Sequence, residues 1–154
     1  GMTVWGPTGR WSRQSYDTHC DKEAMPSFSA TSQQHLDTCD PVLRVIFNEV
    51  IERFDCTIVC GHRGKDEQNA AFAAGKSEKK WPKSRHNTDP SQAVDAAPYP
   101  IDWNDRERAT YFAGFVLGIA SAHGYKLRWG GDWNGDWQVR DNKFDDLWHF
   151  EVAG

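Results

Sequence analysis

The stretches AVDAAPY at residues 93–99 and LWHFEV at residues 147–152 decide how this chain folds, because each alternates with the two-residue period of a half-buried strand. In the first, Val94 and Ala96 point to one side, while Ala93, Asp95 and Ala97 point to the other. In the second, Trp148, Phe150 and Val152 make an apolar face, and His149 and Glu151 share the opposite one. Each strand thus packs one side on a core and presents a strong metal-binding group, Asp95 or His149, on the other. If the two strands are neighbours, Asp95 and His149 meet. His86, on the loop just before the first strand, is free to complete a set.

Upstream, PVLRVIFNEVIERF (41–54) carries Val42, Val45, Ile46, Val50 and Phe54 at helical spacing. Asp40 is its cap and Pro41 its first helical position, so an amphipathic helix is predicted. Thr57 to Cys60 predicts a short strand, GHRGKDE (61–67) a turn, and QNAAFAAG (68–75) a helix closed by Gly75. KSEKKWPKSRHNTDPSQ (76–92) reads as a loop, long enough to suspect function. Pro98 and Pro100 end the strand that follows it. RERATYFAGFVLGIASAHG (106–124) reads as the longest helix, and YKLRWGGDW and DLWHFEV as two further strands joined by a loop rich in glycine and aspartate. Helices and strands alternate without a repeated βαβ unit, which points to an α+β fold.

The length of 154 residues fits one compact domain. Residues 1–26 are polar, rich in Gly, Pro and Ser and without a period, and read as an N-terminal arm; residues 27–154 read as the domain. Gly1 ahead of Met2 reads as a cloning scar. A formal charge of −4 provides no polybasic surface for nucleic acid. No apolar run approaches a membrane span, and the first residues lack the basic flank and apolar stretch of a secretory signal, so a soluble protein without nucleic-acid or membrane partners is expected.

Cys56 and Cys60 lie four apart on a strand, about 13 Å along its axis, too far to share a disulfide or one metal ion. They read as buried free thiols, and the spacing leaves open whether Cys20 and Cys39 pair. Among the eight tryptophans, Trp129, Trp133 and Trp137 recur every four residues in RWGGDWNGDW. Core packing is the reading for Trp129, whereas Trp133 and Trp137 stand equally between core packing and a wall for stacking glycans.

Two histidines and one carboxylate are a common ligand set for catalytic zinc, because three protein ligands leave the fourth position to water. Such a site also needs a general base, and Asp145 and Asp146, four and three residues before His149, are both candidates. On a regular strand Asp146 faces away from His149, so its use requires a bend between them.

The segments GHRGKDEQ, SRHN followed by AVDAAPY, and DLWHFE, in that order over roughly residues 28 to 152, resemble the metallopeptidases of the D-alanyl-D-alanine carboxypeptidase and phage L-alanyl-D-glutamate endolysin group. The resemblance implies a small Hedgehog/DD-peptidase-like domain, with a zinc site on the open face of an antiparallel sheet. It implies one catalytic Zn²⁺ on His86, Asp95 and His149, with Asp146 rather than Asp145 as the acid and base. It further implies Arg63 as the group that stabilises the oxyanion, and Gln68 and Ser84 as site-lining or substrate-binding residues. The loop between His86 and Asp95 departs from the group in being longer and lacking its usual glycine, which affects the pocket near Asp89 and Ser91.

The implied substrate is peptidoglycan stem peptide, cut first of all between L-alanine and D-glutamate. The alternatives are a D-alanyl-D-alanine carboxypeptidase or dipeptidase and, from a different class, a non-catalytic zinc-stabilised cell-wall-binding module. An enzyme made in the cytoplasm without a signal peptide, and reaching the wall after holin-type release, is the expected setting.

Overall fold

The computed structural model describes residues 25–154. The arm expected over residues 1–26 falls almost wholly outside them, as does Cys20. Four helices and four strands follow in the order α1 (Ala30–Asp37), α2 (Pro41–Val50), β1 (Cys56–Cys60), α3 (Lys65–Ala73), β2 (Ala93–Pro98), α4 (Arg106–Ala122), β3 (Leu127–Gly130) and β4 (Asp146–Val152), with a 3-10 turn at Arg85–Asn87 before β2. The strands form one antiparallel sheet in the order β1-β2-β4-β3, the expected α+β class.

One face of this sheet carries the core. Ile58, Val94, Ala96 and Phe150 project from it onto Leu43, Ile46, Phe47 and Val50 of α2 and onto Phe112, Ala113 and Val116 of α4. Phe150 is the hub, meeting Phe47 edge-on at 5.6 Å and Phe112 at 6.1 Å between ring centroids. Burying side chains of this size contributes about 1.5–3 kcal/mol each. The alternation read in β2 and β4 is thus realised, with one difference: Trp148 is only partly buried and packs edge-on against Trp103, 5.2 Å away. In α2 the buried stripe runs through Leu43 and Phe47 as well as Ile46 and Val50, and leaves Val45 exposed.

Helix α1 was not expected from sequence. It buries only Ser32 and Leu36, too thin an apolar stripe to announce itself. Its role is to cover the edge strand. Ser32 Oγ accepts from Ile58 N at 3.0 Å, and His35 Nδ1 donates to Ile58 O at 2.8 Å, which satisfies backbone groups that β1 would otherwise expose. Helix α3 starts at Lys65, three residues earlier than read, because the Glu67 side chain reaches back to Gly64 N and closes the first turn. The long loop between His86 and Asp95 docks on the end of α1, where Ser91 N donates to Thr38 O and Asp40 N to Ser91 O. Among the described residues, no helix is long and apolar enough to cross a membrane.

Candidate metal centre and catalytic cleft

The second face of the sheet opens into a cleft of roughly 510 Å³, and each of its chemical groups has an identifiable reason for its position. Asp95 and His149 are directly paired across β2 and β4, so their side chains leave the sheet on the same side. His86 reaches them from the 3-10 turn, which Ser84 caps by accepting from His86 N at 3.2 Å. Asp95 Oδ1 then lies 3.2 Å from His86 Nε2 and 3.3 Å from His149 Nδ1.

The opposite nitrogen of each imidazole is anchored by a group that only accepts. His86 Nδ1 donates to Gly61 O at 2.8 Å, and His149 Nε2 to Glu151 Oε1 at 2.8 Å. The nitrogens left over face Asp95. Glu151 is itself held by Arg128 at 2.9 Å and Arg85 at 3.2 Å. A carboxylate or carbonyl behind a histidine is the usual support of a metal ligand, because it fixes the ring and its tautomer. Sequence reading placed Glu151 on the same face as His149 without pairing the two; the signal was its position two residues after His149 on one strand.

The electrostatics point the same way. Burial disfavours a charged imidazole, yet the hydrogen bond and charge of Asp95 outweigh it and raise His86 to about 10; His149 is raised by Asp95 and Glu151 against the same burial. Burial would raise Asp95, but hydrogen bonds from His149 and His86 hold its carboxyl well below the usual range. Protons on the two facing nitrogens and a divalent cation are alternative ways of putting positive charge where two lone pairs and a carboxylate converge. Two donors on one tetrahedral zinc stand about 3.3 Å apart, given zinc–ligand distances near 2.0–2.1 Å, which matches the spacings around Asp95 Oδ1. The residues therefore fit a metal. A thiol joins this cluster: the ligand atoms of Cys60, His86 and Asp95 all lie within 4.8 Å of one another. Cys60 was read only as a buried thiol; a bulge in β1 brings it opposite Asp95.

Asp146 lies 4.0 Å from His149 Nδ1. The bend this requires is a register shift at the end of β3: Trp129 pairs with Phe150, but the next residue, Gly130, pairs with Asp146. Gly130 is needed there, because a Cβ would fall on the Asp146 carbonyl. Burial, and then the charge of Asp95, hold the Asp146 carboxyl above its ordinary value, a shift that suits a carboxyl to proton transfer. Asp145 is committed elsewhere, paired with Arg106 at 2.8 Å.

Arg63 approaches from the other side, with Nη2 3.5 Å from Asp95 Oδ2 and Nη1 donating to Gln68 Oε1 at 3.0 Å. Gln68 is fully buried and lies behind Arg63 rather than along the cleft. Its oxygen also accepts from Asn87, and its amide donates to Ser77 Oγ and Lys79 O. Ser84 does line the cleft, while Asp89 and Ser91 do not. Of the three tryptophans, Trp129 is core, Trp133 is a cleft wall 5.6 Å from the His149 ring, and Trp137 faces solvent at 71% exposure.

A raised carboxyl, a fixed arginine and two imidazoles that converge on a carboxylate in one cleft are groups of the kind hydrolases use. The family model for phage L-alanyl-D-glutamate peptidases matches residues 25–153. The L-alanyl-D-glutamate peptidase of Escherichia phage T5 is 37% identical over 126 residues, covering 74% of this chain and 86% of that protein. The crystal structure of the Serratia marcescens L-Ala D-Glu endopeptidase ChiX shares the fold, with a TM-score of 0.63 at 23% identity over 86% of this chain and 94% of that one. The chain belongs to the phage L-alanyl-D-glutamate peptidase family and is a peptidase.

Proposed function

We propose that this chain is a zinc-dependent endopeptidase that cuts peptidoglycan stem peptides between L-alanine and D-glutamate, with His86, Asp95 and His149 holding the metal. The observation that carries this reading is the convergence of His86 Nε2 and His149 Nδ1 on Asp95 Oδ1 at 3.2 and 3.3 Å, inside a cleft that Asp146 and Arg63 share. Family membership and the phage T5 relative support the choice of bond.

When bound, zinc supplies a Lewis acid for the scissile carbonyl and for a water molecule. Asp146 takes a proton from the attacking water as the water oxygen bonds to the carbonyl carbon. Arg63, held by Gln68, donates to the oxygen on which negative charge develops. Asp146 then returns the proton to the departing amine as the C–N bond breaks. Ser84 and Trp133 line the path along which the peptide lies. Residues 27–154 form the catalytic domain in this reading, residues 1–26 an arm, and the enzyme is made in the cytoplasm and meets the wall after holin-type release.

The deciding experiment measures new amino groups released from purified peptidoglycan, with the new termini identified by mass, for protein as prepared, after chelation and after zinc is restored. Zinc-dependent appearance of D-glutamate amino termini is expected. Release of D-alanine instead would move the reading to a carboxypeptidase. Wall binding without any release, from zinc-loaded protein, would replace the enzyme with a binding module.

A further inference from the structure

Cys60 is a metal-binding side chain beside His86 and Arg63 that peptide hydrolysis leaves unused. Regular pairing along β1 would set Val59 opposite Asp95, but the bulge after Ile58 sets Cys60 there instead. Bulges that re-aim one side chain are common beside active sites. The thiol donates to Gly61 O at 3.6 Å, lies 4.0 Å from His86 Nδ1, and accepts from Arg63 Nη2 at 3.6 Å. The same Arg63 nitrogen lies 3.5 Å from Asp95 Oδ2, so a positive group already sits between Cys60 and Asp95.

The donor atoms of Cys60, His86 and Asp95 lie within 4.8 Å of one another. A zinc-bound sulfur at about 2.3 Å and a nitrogen or oxygen at about 2.0–2.1 Å stand roughly 3.6 Å apart at the tetrahedral angle. A shift on the order of 1 Å closes the difference, and a modest χ1 rotation of a cysteine supplies it. Thiolates select the softer divalent ions, and a site with four protein ligands has no open position for substrate or water.

We propose that Cys60 is a reserve metal ligand: a soft divalent ion held by His86, Asp95 and His149 recruits Cys60 Sγ as a fourth protein ligand and closes the coordination position that hydrolysis needs. The inference rests on the metal centre proposed above. As the sulfur–metal bond forms, the thiol proton leaves to solvent and no electron is transferred. Arg63 gives up its contact with the sulfur and shares Asp95 with the ion while Gln68 still holds it, so the closed state differs from the open one in the coordination position alone.

The test is a titration of metal-free, full-length protein with Cd²⁺. Thiolate-to-cadmium charge-transfer absorption is read in the ultraviolet, and equilibrium dialysis counts the bound ions. Wild type is expected to develop the band up to one equivalent, and Cys60→Ser to bind cadmium without it. Bound cadmium with no band in wild type, or a band that survives in Cys60→Ser, overturns the proposal. Dialysis separates the two readings: if neither Cd²⁺ nor Zn²⁺ binds, the metal centre itself fails and takes this inference with it. Should Cys60→Ser not fold, iodoacetamide labelling of wild-type Cys60, read on its peptide by mass spectrometry, decides the matter. One equivalent of Cd²⁺ should slow it about tenfold or more, because a metal-bound thiolate is withdrawn from the nucleophile. An unchanged rate overturns the proposal.

Discussion

Asp95 Oδ1 stands between two imidazoles, 3.3 Å from the His149 nitrogen directly across the sheet and 3.2 Å from that of His86, which arrives from a separate turn. The strand pair places two of the three groups by register alone, and the capped turn places the third. His149→Ala removes a ligand without disturbing Phe150 and the core face. It should abolish stoichiometric zinc binding and activity together, and a folded variant with full zinc content by elemental analysis would end the proposal that His149 is a ligand.

Glu151 acts through His149. Its carboxylate accepts from His149 Nε2 and is shared by Arg85 and Arg128. Glu151→Gln keeps the shape but removes the charge, and zinc affinity should fall about 10–100-fold, as for other residues that support a metal ligand. Competition with a chromogenic chelator measures it.

Arg63 and Gln68 form a donor and its brace. Arg63→Ala should retain zinc but lose about 10²–10³-fold in turnover, the range for one oxyanion donor. Gln68→Ala should lose less and in the same parameter, because Arg63 remains but is no longer held. A variant of Arg63 with undiminished turnover on peptidoglycan would take it out of the mechanism.

The metal-free and zinc-loaded proteins should respond to pH with opposite trends. His86 rises from 6.5 to about 10 on folding without metal, so its contribution to stability is complete below pH 6.5 and disappears as pH climbs toward 10. Asp95 is lowered, so its contribution is lost as pH falls below its ordinary value of 3.8. Chelated protein should therefore melt highest between those limits. Zinc must displace the protons, so the rise in Tm it produces should grow with pH across the neutral range. Calorimetry with chelator or zinc at a series of pH values reads both, and a zinc-induced Tm shift that shrinks with rising pH would contradict the displacement.

Gly130 governs Asp146. Because a Cβ at Gly130 meets the Asp146 carbonyl, Gly130→Ala should displace the start of β4 and lower turnover while zinc, held by residues farther along, stays bound. Loss of zinc in parallel with turnover would show instead that the whole strand had moved.

Much of this was legible in the chain because it depends on local periodicity. The two-residue alternation of AVDAAPY and LWHFEV separated the Val94, Ala96 and Phe150 face from the Asp95 and His149 face, and Asp40 with Pro41 announced α2. The resemblance carried by GHRGKDEQ, SRHN and DLWHFE points to His86, Arg63 and Asp146, residues that local periodicity does not pick out. What local pattern does not encode is where a side chain at an irregularity points. The turn of Asp146 toward His149 depends on a register shift that Gly130 permits. Cys60 faces Asp95 through a bulge, and Gln68 is a brace because α3 buries it behind Arg63. Glu151 matters through arginines on other segments, and α1 exists because the edge of β1 needs covering. Periodicity is a property of neighbours along the chain, so the sequence by itself determined the faces of the strands. Contacts between distant segments decided the rest, since only packing brings their atoms within hydrogen-bonding distance.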